Sequence, residues 1–403
     1  MSVNTLNFEQ VSTVLTSIVH QATGQSILTP TDTGSFTSVA QMALRADRDS
    51  VMNAISNILA RTIFSIRPYS AKMTGLEMDT FRWGAMMRKL SIADSDWIDD
   101  PAYKWPALFN ASQNPPTGDG QEIDPWTIKK PNVLQTNFYG ASVYFDEMSI
   151  FEDQIETAFT GPEQLGSFLS LLMTNLSNRL EMSNEGIRRG LVANAIAAVI
   201  DEAQTDRVVH LLTEYNAATG STFTSQTIYQ PANFAPFMKW VYSRVAQISD
   251  LMTENSLKYQ TVITGKPVLR HTPYQDQRVY LYAPARHDID ARVLADTYHD
   301  NYLRYADVET VNYWQSINTP DSINITPSYT DNTGTLVTPA SPVSQDGVFG
   351  VMFDRDAMGM TILDRRVLST PLNTKGLYRN LHVHCKQRVV FDNTEKVVVL
   401  LMD

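Results

Sequence analysis

The sequence has a single cysteine, no long apolar run and fewer basic than acidic residues, and each shortage excludes a class of protein. Cys385 has no second cysteine to pair with, which excludes an internal disulfide and suits a reducing compartment. No apolar run approaches the ~18 residues of a membrane-spanning helix. Residues 1–10 lack the basic and apolar regions of a signal peptide. We therefore expect no membrane segment and no membrane partner.

The charge balance argues against tight nucleic-acid binding. The chain has 32 Lys and Arg against 43 Asp and Glu, a formal net charge of −11. Extended contact with phosphate backbones requires a basic surface, although an acidic protein can still enclose nucleic acid without gripping it. The 43% hydrophobic and 19% charged residues are ordinary for a folded protein. A length of 403 residues predicts two or three substructures.

Motifs for catalysis or metal binding are scarce. His382, His384 and Cys385 resemble metal ligands, but on a strand the two histidines share one face while the cysteine points away. Two ligands on one face are a weak zinc signal, and half-buried strand histidines explain the pattern better. Gly265-Lys266 lacks the flanking residues of a phosphate-binding loop, and no G-x-S-x-G nucleophile motif occurs.

A second group of possible metal ligands has two interpretations. Asp296, His299 and Asp300 could bind a cation, but a turn in which Asp and His cap backbone amides fits the pattern better. The sequence therefore predicts no catalytic residue, no metal site and no cofactor.

Residues 160–204 are the most distinctive stretch of the chain. Thr160, Pro162 and Glu163 predict a helix start with a Thr cap, a capping box and proline in the first turn. No proline follows until Pro231, and apolar residues recur every three or four positions. A helix of about 42 residues would reach roughly 63 Å, far beyond an ordinary globular helix, and predicts an architectural spine. Gly186 and Gly190 predict a bend or close backbone packing within it.

The N-terminal region predicts two helices joined by an arm. Helices are expected at 6–22, ended by Gly24, and at 38–61, with an extended, mobile arm over Thr29–Thr37. Such helices either dock on a partner or cap the protein's own core, and the sequence leaves both open. Phe8, Val11 and Leu15 are the candidate inter-subunit contacts on the first helix.

The region beyond Pro68 changes to the alternation typical of strands, predicted at 79–92 and 133–145. About 40 proline-rich residues separate these strands, a length that is usually functional or disordered. Disordered linkers are poor in aromatic residues, so aromatics here indicate anchors for a partner, or packing against the base of the loop. The candidate contact residues are Trp97, Tyr103, Trp105, Phe109 and Trp126.

The second half of the chain predicts a mixed α/β unit followed by a final sheet. A strand at 208–212, a helix at 234–256, a strand at 279–282, a short helix at 287–294 and loops over 319–347 make up the unit. Strands are expected at 348–353, 360–363, 377–390 and 397–402. Because the last strand is strongly apolar, we expect it to lie inside a sheet.

This order of elements resembles the major capsid proteins of tailed bacteriophages, which share the Hong Kong 97 phage fold. Some short sequence segments are similar to those of the capsid proteins of phi-29-like podoviruses. The matching pieces are Lys130-Pro131-Asn132-Val133, Thr157-Ala158-Phe159, and Gly376-Leu377-Tyr378 followed by Asn380. The likeness is strongest over 75–205 and 345–401. No Lys and Asn positions match the cross-linking residues of one branch of the fold.

The resemblance implies an α+β subunit with the domains of that fold. These are the N-terminal arm and helices (1–60), the extended loop with its base strands (61–146), the peripheral domain with the spine helix (147–207), the axial domain (208–344) and the C-terminal strands of the peripheral domain (345–403). In the family the extended loop lies across a neighbouring subunit.

The implied function is that of a major capsid protein, located in the virion and assembled in the host cytoplasm. It would self-assemble as hexamers and pentamers of an icosahedral shell, with a scaffolding protein and a portal as further partners. The shell would enclose double-stranded DNA without sequence-specific binding. Two rivals stay open, namely an encapsulin-like cellular nanocompartment shell protein and a soluble enzyme with an unrecognised site.

Overall fold

The computed structural model describes most of the chain, with gaps. The described residues are 8–23, 29–46, 51, 54, 72–78, 86–93, 126, 132–139, 142–151, 153–154, 161–203, 206–283 and 307–403. The helices in these ranges are α1 (Phe8–Thr23), α2 (Thr33–Ala46), α3 (Pro162–Asp201), α4 (Leu211–Thr219) and α5 (Pro231–Thr253). The strands are β1 (Met86–Ala93), β2 (Asn132–Tyr139), β3 (Ser142–Phe151), β4 (Val208–His210), β5 (Gln277–Tyr282), β6 (Asp307–Val311), β7 (Ile323–Ile325), β8 (Tyr329–Thr330), β9 (Leu336–Val337), β10 (Val343–Gln345), β11 (Val348–Asp354), β12 (Met358–Ser369), β13 (Tyr378–Phe391) and β14 (Val397–Leu401).

The predicted spine is confirmed as α3, a continuous helix of 40 residues. At 1.5 Å per residue it is about 60 Å long. Pro162 occupies its first turn, as predicted, because a proline there loses no helical hydrogen bond. The predicted threonine cap is wrong: the capping position is Gly161, whose backbone is extended and which makes no side-chain cap bond.

The two glycines of α3 do not mark close packing. A Cβ added at Gly186 or Gly190 would meet no atom within 4 Å, and the helix runs through both positions without interruption. The predicted close backbone packing is therefore wrong within the single subunit, and the alternative, a bend of the helix, stays a prediction.

This open space leads to a prediction. Gly186→Ala and Gly190→Ala should each raise the free energy of unfolding of the unassembled subunit by up to about 1 kcal/mol, because alanine loses less backbone entropy in a helix. Urea unfolding of the two variants measures this directly. A loss of stability in either variant would mean that the glycine is required inside the subunit.

Two separate cores lie along α3. Its first half packs with α1, α2 and the three-stranded sheet, in the order β12-β13-β3, through residues such as Leu165, Leu176 and Leu180. Its second half, rich in alanine, packs on one face of a five-stranded sheet in the order β4-β14-β11-β5-β6. Helices α4 and α5 cover the other face of that sheet. The spine thus joins two bodies of different architecture.

The last strand lies inside the five-stranded sheet, as predicted. β14 pairs with β11 on one side and with β4 on the other, and all five of its residues are buried. The sheet also combines β4, β5 and β6 from the predicted axial region with β11 and β14 from the predicted C-terminal region. The expected boundary between 344 and 345 therefore divides one hydrogen-bonded sheet.

Three predicted elements need correction. The single strand expected at 133–145 is two strands in different sheets, since β2 pairs with β1 while β3 pairs with β13. The strand expected at 208–212 ends at His210, where α4 begins. The region 319–347, expected to be loops, contains the short strands β7 to β10.

The second helix begins earlier than predicted. α2 starts at Thr33 because Asp32 and Ser35 form a reciprocal capping box: the Ser35 amide donates to Asp32 Oδ1 at 2.6 Å, and the Asp32 amide donates to Ser35 Oγ at 3.2 Å. The second half of the predicted arm, 33–37, is therefore helical. Gly24 and the helix expected at 287–294 lie outside the described residues.

A buried lysine closes the C-terminal end of α5. Lys396 Nζ donates to the carbonyl oxygens of Met252 (3.1 Å) and Glu254 (2.8 Å), which have no further turn of helix to bond. Burial lowers the pKa of Lys396 to about 8, although nearby acidic groups oppose that shift.

This shift makes stability depend on pH in the alkaline range. Because the lysine loses its proton at a lower pH in the folded chain than in the unfolded chain, the unfolded state binds more protons between about 8 and 10.5. Folding stability should therefore rise with pH across that window, by no more than ~3 kcal/mol. Comparing the pH dependence of unfolding in wild type and Lys396→Met isolates the effect, since the variant should lack this rise. An identical pH dependence in both proteins would contradict it.

Candidate assembly surfaces

The strands β1 and β2 form a two-stranded antiparallel ribbon, called the ribbon below. Its register pairs Met86 with Tyr139 and Ala93 with Asn132 at the two ends. Because directly paired residues project from the same side of an antiparallel pair, Leu90, Ile92 and Val133 lie on one face. The ribbon confirms the predicted two-stranded extension. Residues 79–85 of the predicted first strand lie outside the described residues, and the second strand ends at Tyr139.

The face that carries these three residues, called the outer face, is open to solvent, and Arg88 and Gln135 lie on it beside them. Leu90 is 62% exposed, Ile92 67% and Val133 41%. Large aliphatic side chains are rarely exposed together on a strand of a monomeric protein. A contiguous exposed apolar patch marks an interaction site. The outer face is therefore a candidate contact with another molecule.

The opposite, inner face is fastened to the body by polar groups. Lys89 pairs with Asp392 and Glu395, which lie in the turn between β13 and β14. Ser91 Oγ accepts a hydrogen bond from Arg270 at 2.8 Å. The inner face, which also carries Leu134 and Phe138, thus contacts the body through polar groups, whereas the outer face exposes three large aliphatic side chains.

A second exposed surface lies on the outward side of the three-stranded sheet. Phe145 projects there beside His382 and His384, with ring centroids 6.4 Å and 6.0 Å away. The prediction that the two histidines share a face while Cys385 points away is confirmed, since Cys385 is fully buried in the core beneath. Within the described ranges, no three His, Cys, Asp or Glu side chains are grouped so that they could hold a metal ion.

Buried side chains of the spine hold the chain segment before the ribbon through an ion pair and hydrogen bonds. Arg188, on α3, pairs with Glu77 and also donates to the carbonyl oxygen of Lys72 at 3.3 Å. Glu185 accepts hydrogen bonds from the amide of Lys72 (3.3 Å) and from Arg189 (2.7 Å). The segment 72–78 is thereby held against the middle of α3, close to where the ribbon begins in the sequence.

The buried side chain of Arg207 joins the end of the spine to the five-stranded sheet. Arg207 donates to Glu202 Oε2, Thr261 Oγ1 and Asn393 Oδ1, each at 2.7 Å. Burial lowers the pKa of Arg207 to about 10, while Glu202 opposes the shift, so the guanidinium stays charged at neutral pH. Its Nε also donates to the carbonyl oxygen of Val397. One side chain therefore connects three segments of the chain, at Glu202, at Thr261 and over 393–397.

Most of the predicted contact residues of the loop, Trp97, Tyr103, Trp105 and Phe109, lie outside the described residues. Trp126 is 83% exposed, and its contact with a partner stays a prediction. Asp296, His299 and Asp300 also lie outside the described residues.

The candidate contacts on the first helix need correction. Val11 and Leu15 are fully or almost fully buried in the core formed by α1, α2, α3 and the three-stranded sheet, and Phe8 is half-buried. Val11 and Leu15 therefore serve the second interpretation, a helical cap on the protein's own core. Their side chains are not available to a neighbouring subunit while α1 stays docked.

Sequence reasoning missed the outer face. The alternation Lys89-Leu90-Ser91-Ile92 predicts a strand, but the contact residues were predicted in the loop that follows it. The pattern of two large aliphatic residues alternating with polar ones carried the signal, and only the pairing with β2 showed which side faces solvent.

Comparison with known proteins identifies the fold. The capsid structure of Staphylococcus phage Andhra is similar over 84% of this chain and 86% of that chain, with 11% identity and a TM-score of 0.51. A chain in the structure of the head fiber and inner core protein gp22 of native bacteriophage P68 has 8% identity and a TM-score of 0.48 over 83% of this chain and 85% of that chain. The capsid structure of the Cyanophage P-SCSP1u has 11% identity and a TM-score of 0.41 over 83% of this chain and 89% of that chain. No curated protein matches the sequence.

The fold is thus that of tailed-phage capsid subunits, of the Hong Kong 97 type. The family model for the Phi29-like phage major capsid protein matches residues 16–401. The chain therefore belongs to the Phi29-like phage major capsid protein family. It is a major capsid protein of a tailed bacteriophage, and its place is the capsid of the virion. Among the described residues, no helix has the length and hydropathy needed to cross a bilayer.

Proposed function

We propose that this subunit builds an icosahedral shell of hexamers and pentamers by laying the ribbon of one copy on the surface of the next. The observation that carries the proposal is the outer face of the ribbon, on which Leu90, Ile92 and Val133 are exposed together in a chain of a capsid family. A head-to-tail contact of this kind, repeated around a ring, closes into a cyclic oligomer.

The energy of such a contact is modest for one copy and large for a shell. Fully burying one Leu, Ile or Val side chain is worth about 1.5–3 kcal/mol. The three residues of the outer face are about half exposed, so covering them would contribute a few kcal/mol per subunit. That is too little to hold two copies tightly, which favours assembly that is cooperative over many contacts.

The two cores support a division of the subunit into a peripheral and an axial body. The peripheral body would contain α1, α2, the first half of α3 and the three-stranded sheet. The axial body would contain the five-stranded sheet with α4 and α5, and would therefore include β11 and β14. In this proposal the ribbon belongs to the extended loop, which reaches the neighbouring subunit, and the axial body meets its copies at the symmetry axes.

The remaining partners follow from the shell. The net charge of −11 suits a wall that encloses double-stranded DNA without binding it tightly, because like charges repel. A scaffolding protein would guide assembly and a portal would occupy one vertex. The subunit would act as a structural protein and catalyse no reaction.

Electron microscopy of the purified protein, alone and with its scaffolding protein, tests this proposal. Closed shells built from the 45.2 kDa subunit are expected. Isolated subunits under every assembly condition would overturn the proposal. Shells that contain a host enzyme and no genome would indicate a cellular nanocompartment instead.

A further inference from the structure

The ribbon is held over the body by a compact cluster of opposite charges. Lys89 Nζ lies 2.7 Å from Asp392 Oδ2 and also pairs with Glu395. Arg270 Nη1 lies 3.1 Å from Glu395 Oε1, and its Nη2 donates to Ser91 Oγ on the ribbon. Two cations and two carboxylates therefore join the ribbon, the turn between β13 and β14, and the loop that precedes β5.

At three of these groups, burial and the neighbouring charges act on the pKa in opposite directions. Burial alone would lower the pKa of Lys89, but Asp392 and Glu395 raise it above its ordinary value. Burial opposes ionisation of Asp392, yet Lys89 and Thr394 hold the pKa of that carboxyl below its usual range. Burial raises the pKa of Glu395, which Lys89 and Arg270 oppose. The other charged groups that act on the cluster are Asp354, through Lys89, and Lys396, through Glu395.

The three described hydrophobic cores include no residue of the ribbon, although Ala93 at its end is buried. A cleft of roughly 760 Å³ lies beside the cluster, lined by Met87 from the ribbon and by Leu269, Arg270 and Glu395 from the body. Two more polar contacts, Asn132 Nδ2 to the carbonyl oxygen of Gly265 and Lys266 Nζ to that of Val133, both at 3.0 Å, are exposed. Exposed polar contacts are weak, so the buried charges are the strongest link described between ribbon and body.

We propose that Lys89 is a positioning residue: with Arg270, Asp392 and Glu395 it sets the direction in which the ribbon leaves the body. In a shell this direction decides the angle at which one copy meets the next, and hence the curvature of the wall. The inference about curvature rests on the proposed function, whereas the fixing of the ribbon is a property of the single subunit.

The test compares Lys89→Met with Arg366→Met, a control that removes a cation from an exposed pair with Asp364. In the unassembled subunit, Lys89→Met should increase hydrogen exchange of the β1 and β2 amides by about tenfold or more, which corresponds to ~1.4 kcal/mol. Amides of β11 and β14 should keep their protection. Lys89→Arg should restore the exchange of the ribbon, because it keeps the charge.

The second readout is the size of assembled particles. Lys89→Met should give shells of mixed diameter or open sheets, whereas Arg366→Met and Lys89→Arg should give the wild-type size. If Lys89→Met fails to fold, the neutral pair Lys89→Gln and Asp392→Asn replaces it, because Glu395 then keeps Arg270 as its partner and no unpaired charge remains buried.

The outcomes separate the two claims. Unchanged ribbon exchange in the variant would overturn the positioning role, whether or not shells form. Faster ribbon exchange together with particles of wild-type diameter would overturn the link to curvature. A wild-type protein that forms no shells would overturn the proposed function and the curvature claim, while the exchange measurement would still judge the role of Lys89 in the subunit.

Discussion

Replacing Arg207 with methionine is expected to lower the free energy of unfolding of the subunit by about 3–5 kcal/mol. Methionine fills a similar volume but leaves the carboxylate of Glu202 without its cation, in a place where both side chains are buried. It also removes the bond to the carbonyl oxygen of Val397, at the start of the inner strand β14. The loss is a large part of the stability of an ordinary protein, so the variant should unfold at a much lower urea concentration.

Two further variants serve as controls for the unfolding measurement on Arg207→Met. Arg366→Met removes an arginine whose pair with Asp364 is exposed, and should change stability by less than about 1 kcal/mol. Adding Glu202→Gln to Arg207→Met should restore part of the loss, because no unpaired charge stays buried. Equal effects of Arg207→Met and Arg366→Met would contradict the role given to the buried cluster.

Placing lysine at both Leu90 and Ile92 is expected to abolish shell assembly and to leave the subunit folded. Both side chains are exposed in the single subunit, so the change should alter its unfolding free energy by less than about 1 kcal/mol. If a neighbouring copy covers the outer face, two charges would have to be buried without partners, at a cost of several kcal/mol at every contact. Assembly is measured by light scattering, and folding by urea unfolding.

The control changes one exposed leucine and one exposed isoleucine on other elements, with Leu171→Lys on α3 and Ile317→Lys in the loop after β6. It adds the same two charges away from the ribbon and should assemble more readily than the ribbon variant. Equal inhibition by both variants would show that added charge alone blocks assembly and that the outer face has no special part in it.

The elements with strong periodicity were predictable from the sequence. The spine, α5, β11, β13 and β14 follow from regular apolar patterns and from the absence of proline, and each lies within a few residues of its predicted position. Two of the incorrect predictions have a clear physical reason, namely the strand at 133–145 and the start of α2. Alternation cannot reveal that the partner strand changes between Tyr139 and Ser142. A capping pair formed by Asp32 and Ser35 extends a helix into a stretch rich in turn-forming residues.

The polar clusters could not be predicted from the sequence, for a different reason. Arg207 joins Glu202, Thr261 and Asn393, positions that are far apart in the sequence and carry no shared pattern. The same is true of Lys89 with Asp392 and Glu395. Such groups come together only once the sheets have formed, so no local window of the sequence contains the signal. The contact role of the outer face likewise depends on the register of β1 and β2.

The most direct test of the central claim is a cryo-electron microscopy map of assembled particles at side-chain detail. The account predicts that a second copy covers Leu90, Ile92 and Val133 at van der Waals distance, while Lys89 keeps its pairs with Asp392 and Glu395 in its own copy. A shell in which the outer face of the ribbon remains open to solvent would contradict the account.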